Sequence, residues 1–484
     1  MPSALIIGAG VSGLTSAVLL AEHGWQVTVL EAHAIPGGLL QRFRRGPFRF
    51  DTGFHFLTGA AEGGPFRRLA KRLGILERIA FLPLEPDAQI RVHLPAGGEF
   101  AIPIGLVPAR EAFCARWPEQ DAALRAFFRL LEGGLVRLGW LAMLAEPGTE
   151  PLGRDHESVS AALARCGVHG LPREVLGALS AILAMRPETC PLELYTGFAG
   201  TALAGCYRAV GGGEAVIAPL VERVEQLGGR LLLKRAVTRI HFDEREVTAV
   251  EDARGERHVA DTYLASCHPE EVLRLTGPGG MRPSLAERVL TTPDSASAVL
   301  VFASLSRAPA SIGISHHFAQ LDDSELYWIA PSNFEGPAAP PYLEAMLWVP
   351  CEAAAAWRDS ERGKRPAEYA AWKASVEKRI LDAVVAAHPD VAGTITRTWS
   401  SSPLSIRHYV RSRNGAAMGL SHDLGHLGSE PMPRRNRLRN LCFTGQSIGH
   451  PGVLGCMIEA FALCGHLIGK DLKPDYEAFA GPTR

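Results

Sequence analysis

The sequence predicts an α/β protein, a Rossmann-type domain on a parallel sheet that is interrupted by inserted α+β segments. Three observations carry this. The first 31 residues read strand, glycine-rich turn, helix, strand. Near the other end an apolar run, LCF, passes through a glycine-rich turn, GQSIG, into an apolar helix. Between the ends lie long stretches in which strands and amphipathic helices follow one another in antiparallel style.

Residues 4–8 (ALIIG) form a short apolar run, as a buried parallel strand requires. Gly8, Gly10 and Gly13 give G-x-G-x-x-G, with Val11 and Ser12 inside the turn. Residues 14–23 read as a helix stopped by Gly24, and 27–30 (VTVL) as a second strand closed by Glu31 and Ala32. Each part has a physical task. Gly8 permits the tight turn, Gly10 lets backbone approach a pyrophosphate, and Gly13 lets helix and strand pack closely. The helix start offers N–H groups and its positive dipole end to phosphate. Glu31 can accept from a ribose hydroxyl and disfavours a 2′-phosphate, so the expected ligand is FAD or NAD rather than NADP. A purely structural glycine turn is the bland alternative. The Gly37–Gly38 pair adds a second phosphate-facing turn that a simple NAD enzyme does not need, which favours FAD.

Composition sets wide limits. The 484 residues allow two or three domains, with 47% apolar and 21% charged residues and a net charge of −1. No basic field argues for nucleic acid. Nine cysteines without a C-x-x-C pair read as reduced thiols and suggest a cytoplasmic protein. No apolar run reaches the roughly 18 residues of a spanning helix. The N-terminus has a signal-peptide look but no early positive charge, and its glycines belong to the fingerprint.

GQSIG also matches the G-x-S-x-G nucleophile elbow, with Ser447 at its centre. A hydrolase would need a histidine and an acid in order, and would leave the N-terminal fingerprint unexplained. Ser447 is therefore not expected to be a nucleophile.

Three further phrases mark a resemblance: the glycine pair in EAHAIPGGLLQRF, then FRFDTGFHFLTG, residues 48–59, and VGGGEAVIAPLVERVEQLGGRLLLKRAVTRI, residues 210–240. With RHYVRSRNGAAMGLSHDL and NLCFTGQSIGHPGVLGCMIEAFALCGHLI, the chain resembles the phytoene desaturase-like flavoproteins of the amine-oxidase superfamily. That group includes carotenoid desaturases, carotenoid isomerases and retinol saturases, and DTGFHFLTG looks closest to the saturase and isomerase end. The resemblance implies FAD held by the N-terminal turns, by Gly53, Phe54 and His55 beside the flavin, by the backbone of Val237 at the adenine end, and by Gly445 and Gln446. Gly452, Val453 and Leu454 would open the last helix at the flavin N1/O2 edge, where its dipole favours reduced flavin. An Arg often follows the family's GG pair. Here Leu39 and Leu40 follow, and Arg42 is the expected substitute at the diphosphate.

The same resemblance implies a discontinuous FAD-binding domain, residues 1–64, 206–269 and 396–484, with a substrate domain of 65–205 and 270–395. In the latter, 295–305 and 322–331 read as strands and 367–389 as an amphipathic helix. Residues 123–147 are rich in Leu, Phe and Trp with arginines between. They read as a core face, a tunnel lining, or a surface resting peripherally on the inner membrane surface. The implied function is FAD-dependent oxidoreduction at carbon–carbon bonds of a long apolar, polyene-like substrate, by desaturation, saturation or cis–trans isomerisation. The electron partner would be oxygen, a quinone or a reductase, because no second dinucleotide fold is evident. His55 is the one candidate catalytic side chain. Amine oxidation is the second enzyme reading, disfavoured by His450–Pro451 where amine oxidases carry aromatics. A flavin-binding partner without turnover is the third. No metal is expected: glycines surround the i,i+4 pair His422 and His426, and His316–His317 carries no signal.

Overall fold

The computed structural model describes residues 1–95, 97–137, 157–426 and 432–472. Five strands form a parallel sheet in the order Arg230–Leu232, Gln26–Leu30, Ser3–Ile7, Thr262–Ala265 and Leu441–Phe443. They come from both ends and the middle of the chain. The helix Val11–Glu22 follows the first strand and is buried from Val11 through Ala21. It is buried all round because the helices Glu214–Gln226 and Gly452–Ile468 cover the sides that the sheet leaves open. It starts at Val11, three residues before the sequence suggests, because Gly10 is already its N-cap.

A three-stranded antiparallel sheet, Val237–Asp243, Glu246–Asp252 and Arg257–His258, flanks this unit. The second large sheet has seven strands, in the order Ile395–Ser401, Ser297–Leu305, Tyr342–Val349, Ser324–Ile329, His316–Leu321, Ile90–His93 and Glu99–Ile102. Every pairing is antiparallel except His316–Leu321 with Ile90–His93. Its strand Ser297–Leu305, second in this order, is buried at every position. Alternation sorts its residues: Val299 and Val301 join Trp328, Leu347 and the helix Ala367–Ala387 in one core. Ala298 and Leu300 face the opposite way with Tyr327 and Trp348. This second face bounds the candidate site.

The expected strands at 295–305 and 322–331 appear as Ser297–Leu305 and Ser324–Ile329, and the expected helix at 367–389 as Ala367–Ala387. The apolar segment 123–147 begins inside the helix Asp121–Arg137, whose Leu124, Phe127, Phe128 and Leu131 are core residues. Residues 138–147 lie outside the described residues. No described helix is long and apolar enough to cross a membrane. Two segments pack across the boundaries drawn from sequence. Phe66, Leu69 and Ile75 enter the core of the parallel-sheet unit, and Ile395–Ser401 is hydrogen-bonded into the seven-stranded sheet.

Candidate functional site

The two glycine turns meet because the strand that ends at Ile7 lies beside the strand that ends at Leu30. Gly37 N–H donates to Ala9 O at 2.8 Å, closing the second turn over the first. A Cβ on Gly13 would stand 2.2 Å from Gly8 O, so no larger residue lets this helix start so close to the strand. Glu31 sits at the mouth of the turn. Its Oε2 accepts from Ala9 N–H and its Oε1 from His33 N–H, both at 2.8 Å, which aims the carboxylate.

A large cavity begins here, with about 2130 Å³ of space free of atoms, its opening to solvent included. Gly8, Gly10, Val11, Ser12, Glu31 and Ala32 line it, with Gly37, Gly38 and Leu39. From elsewhere in the chain come Val237, Gly445, Gln446, Gly452, Val453 and Leu454. The helices Val11–Glu22 and Gly452–Ile468 both begin at its wall, and neither has a side-chain cap on its first turn. Their N–H groups and positive dipole ends therefore face the cavity, as an anionic ligand requires. Gly13 lies behind this wall.

Arg42 corrects the sequence expectation. Its guanidinium is buried and points away from the cavity wall, donating to Gly211 O at 3.0 Å, Tyr342 Oη at 2.9 Å and Glu335 at 2.7 Å. The reason is the strand pair Arg42–Arg45 with Phe48–Asp51, in which Arg42 lies opposite Asp51. Asp51 is the acid of F-D-x-G, and the structure shows what it does. Its Oδ2 accepts from Arg208 at 2.5 Å and its Oδ1 from Gly213 N–H at 2.8 Å, with no exposure on either charged side chain. Arg208 also donates to the carbonyls of Phe54 and His55, at 2.7 and 3.0 Å. Glu344 Oε1 accepts from Asp51 N–H at 2.8 Å. Burial, then the charge of Asp51, push the Glu344 carboxyl far above the usual range, so it is neutral and the cluster is close to balanced. The whole assembly holds the Gly53–Phe54–His55 turn at the cavity.

Gly53, Phe54 and His55 line the other half of the cavity, together with the inward face of the seven-stranded sheet. This half is apolar: Ile182, Leu183, Phe198, Leu300, Met346 and Trp348 are among its walls. His55 Nδ1 lies 3.1 Å from His316 Nε2, so the two rings share one hydrogen. Burial, with the positive charge of Arg208, lowers His55 to about 3. Burial, then His55, takes His316 well below its ordinary value. Both imidazoles are neutral at physiological pH. His316 is held by a stacked Tyr327 and an edge-on Phe56, at 5.2 and 4.7 Å between centroids. Three polar atoms of this half have no partner among the described residues: His55 Nε2, Tyr327 Oη and Trp348 Nε1. Buried polar atoms without partners carry a penalty of order 1–3 kcal/mol each, which a ligand or water here would relieve.

Sequence reasoning missed His316, Arg208, Tyr327 and Trp348. His316 lies 261 residues from His55, and nothing local marks it. Ser447 does not line the cavity; its Oγ accepts from Leu420 N–H at 3.2 Å. His422 Nε2 bonds Gln446 O at 2.6 Å and His426 pairs with Asp423, so their nitrogens are committed separately.

The geometry suits a dinucleotide with a reactive ring at the boundary between a backbone-lined half and an apolar half. Comparison with known proteins agrees. A family model described as flavin-containing amine oxidoreductase matches residues 11–455. The chain is 19% identical to the all-trans-retinol 13,14-reductase of Rattus norvegicus, over 99% of this chain and 88% of that protein. It is 25% identical to the phytoene desaturase of Cercospora nicotianae, over 98% of this chain and 85% of that one. Among solved structures, an oxidoreductase from Methanosarcina mazei superimposes with a TM-score of 0.67 at 14% identity, covering 95% of this chain and 99% of its own, which shows a common fold. A match over this span, to a model and to relatives along nearly the whole chain, places the protein in the flavin-containing amine oxidoreductase family, on its phytoene desaturase-like branch.

Proposed function

We propose that the protein binds FAD along the backbone-lined half of the cavity and acts on carbon–carbon bonds of a long apolar, polyene- or isoprenoid-like substrate in the other half. The observation that carries this is the makeup of that second half. Aliphatic and aromatic walls surround two neutral histidines. The carboxylates that line the cavity, Glu31 and Glu271, belong to the dinucleotide half, where Glu271 lies 3.5 Å from Arg411. An amine oxidase would hold a charged amine, and these apolar walls offer it no carboxylate. This ranks amine oxidation second, although the family name includes it.

Bound FAD supplies hydride exchange at its ring, which the side chains of this chain cannot perform. The chain's own residues do the rest. The apolar walls exclude water and orient an extended chain. Glu31 would hold the ribose, and the two uncapped helix ends the diphosphate and the pyrimidine edge of the ring. Arg208 fixes the His55 turn through two carbonyls. His55 Nε2 is free to act, and its role follows from the hydrogen it shares. If His55 donates to His316, Nε2 is an acceptor; if His316 donates, Nε2 carries a proton to give. The pair can thus present the substrate with either a hydrogen-bond donor or an acceptor while both rings are neutral, and a net proton given or taken at Nε2 leaves one ring charged until a proton is returned. Electrons would pass to or from oxygen, a quinone or a reductase, and net redox is zero for an isomerisation.

The test is an anaerobic titration of the purified protein with candidate polyenes while the oxidised-flavin absorbance is followed. Bleaching by a polyene supports desaturation. A shift of the polyene spectrum with the flavin band unchanged supports isomerisation. Recovery of donor-reduced flavin on adding polyene supports saturation. A flavin band that no polyene affects in any of these ways, but that amines bleach, overturns the reading in favour of amine oxidation. His55→Phe is expected to lower turnover about a hundredfold with the flavin still bound.

A further inference from the structure

Behind the cavity, on the outer face of the seven-stranded sheet, three histidines converge. His317 follows His316 on the same strand and so points the opposite way. His93 comes from the neighbouring parallel strand Ile90–His93, and His388 caps the C-terminal end of the helix Ala367–Ala387. One ring nitrogen of each lies within 4.8 Å of the other two. His317 and His388 are 0% and 4% exposed, while His93 is partly exposed.

We propose that His93 Nε2, His317 Nδ1 and His388 Nε2 bind a divalent cation of the zinc class, which staples the helix end to the sheet behind the active cavity. The tautomers make the argument. His317 Nε2 lies 2.9 Å from Ile312 O, a pure acceptor, so Nε2 carries the hydrogen and Nδ1 turns a lone pair inward. Ser311 Oγ donates to the Asp390 carboxylate and therefore accepts from His388 Nδ1–H at 2.9 Å. That leaves His388 Nε2 as a second inward lone pair. His93 Nε2, 3.0 Å from His317 Nδ1, supplies the single hydrogen available to the two. His388 Nε2 accordingly has no partner among the described residues, although it is buried. A cation resolves this at once: the His93 hydrogen moves to its own Nδ1, and three lone pairs face one ion with no net proton released.

The chemistry matches the cation. Three neutral imidazoles are a common zinc donor set and leave a fourth position for water. Zinc–nitrogen bonds of about 2.1 Å put the ligand nitrogens about 3.4 Å apart; His93 Nε2 and His317 Nδ1 are 3.0 Å apart, and one nitrogen of each ring lies within 4.8 Å of the other two. The Ser311–Asp390 pair behind His388 and the Ile312 carbonyl behind His317 orient the rings, as outer-shell groups of metal sites do. Arg91 is the nearby cation, and it is paired with Glu99. Packing alone accounts for the stacked rings of His93, His317 and Trp328. It does not account for two lone pairs turned toward one hydrogen.

The test is zinc uptake by the full-length purified chain. The protein is stripped with chelator, offered zinc, desalted, and assayed for metal per chain and for melting temperature. One zinc per chain, with a melting temperature that falls on stripping and recovers on reloading, is expected. His388→Gln and His93→Gln should each weaken zinc binding at least about tenfold, and Ser311→Ala, which removes no ligand, by a comparable factor. His426→Gln, distant in sequence and paired with Asp423, should leave uptake unchanged. Absence of uptake by the stripped wild type overturns the proposal. So does a His93→Gln/His388→Gln double variant, folded by circular dichroism, that takes up as much zinc as the wild type. If that double variant does not fold, undiminished affinity in Ser311→Ala overturns it.

Discussion

The two halves of the cavity are built from different material. The dinucleotide half is mostly backbone: two glycine turns and two helix starts, steadied by one carboxylate. The apolar half is mostly side chains, brought together from strands and turns as far apart in the chain as His55 and His316, which are 261 residues apart. Backbone recognition needs a local conformation that a short motif specifies completely. A side-chain wall needs only that many distant residues end on one face of a sheet. The first kind of site is therefore written in one stretch of sequence, and the second is distributed through it.

The ion cluster joining the halves is the sharpest place to break this contrast. Asp51→Ala would leave Arg208 buried without its carboxylate and Gly213 N–H without an acceptor. Loss of about 3–5 kcal/mol in denaturant unfolding is expected, along with release of the His55 turn. A loss below about 1 kcal/mol would mean that the cluster does not carry the turn. Acid comes next. His55 and His422, held to about 3 and about 4 chiefly by burial, stay neutral in the folded state while the unfolded chain protonates near 6.5. The unfolded state thus binds more protons between those values. Stability from these groups is complete above about pH 6.5 and is lost as pH falls, by up to about 1.4 kcal/mol per unit for each. Unfolding curves at several pH values should show this slope, and His422→Gln should make it shallower; an unchanged slope would contradict the assignment.

Gly13→Ala places a methyl 2.2 Å from Gly8 O. It should cost about 1–3 kcal/mol and reduce the flavin retained per chain, read from the absorbance ratio. Retention of full flavin would show that the first turn can move away without losing its ligand. The smallest effect is expected at Tyr327→Phe. The Tyr327 hydroxyl has no partner among the described residues, so its loss should leave unfolding free energy within about 0.5 kcal/mol. Substrate affinity is the property that should change. A large destabilisation would assign Tyr327 to the scaffold.

By itself the sequence determined the Rossmann unit. G-x-G-x-x-G, Glu31 and the Gly37–Gly38 pair fall in consecutive elements, and parallel pairing of Ser3–Ile7 with Gln26–Leu30 follows from the short crossover between them. It also determined that GQSIG opens a helix, and that F-D-x-G and His55 belong near the cavity. It could not set the direction of Arg42. The spacing from the glycine pair suits a diphosphate, but the choice between that role and a buried ion cluster was made by Asp51, Glu335 and Tyr342, the last two some 300 residues downstream. Nor could it unite His55 with His316, or His317 with His93 and His388. Those meetings depend on the register of the seven-stranded sheet, and register is a property of strand pairs: shifted by one residue, His316 and His317 would exchange faces.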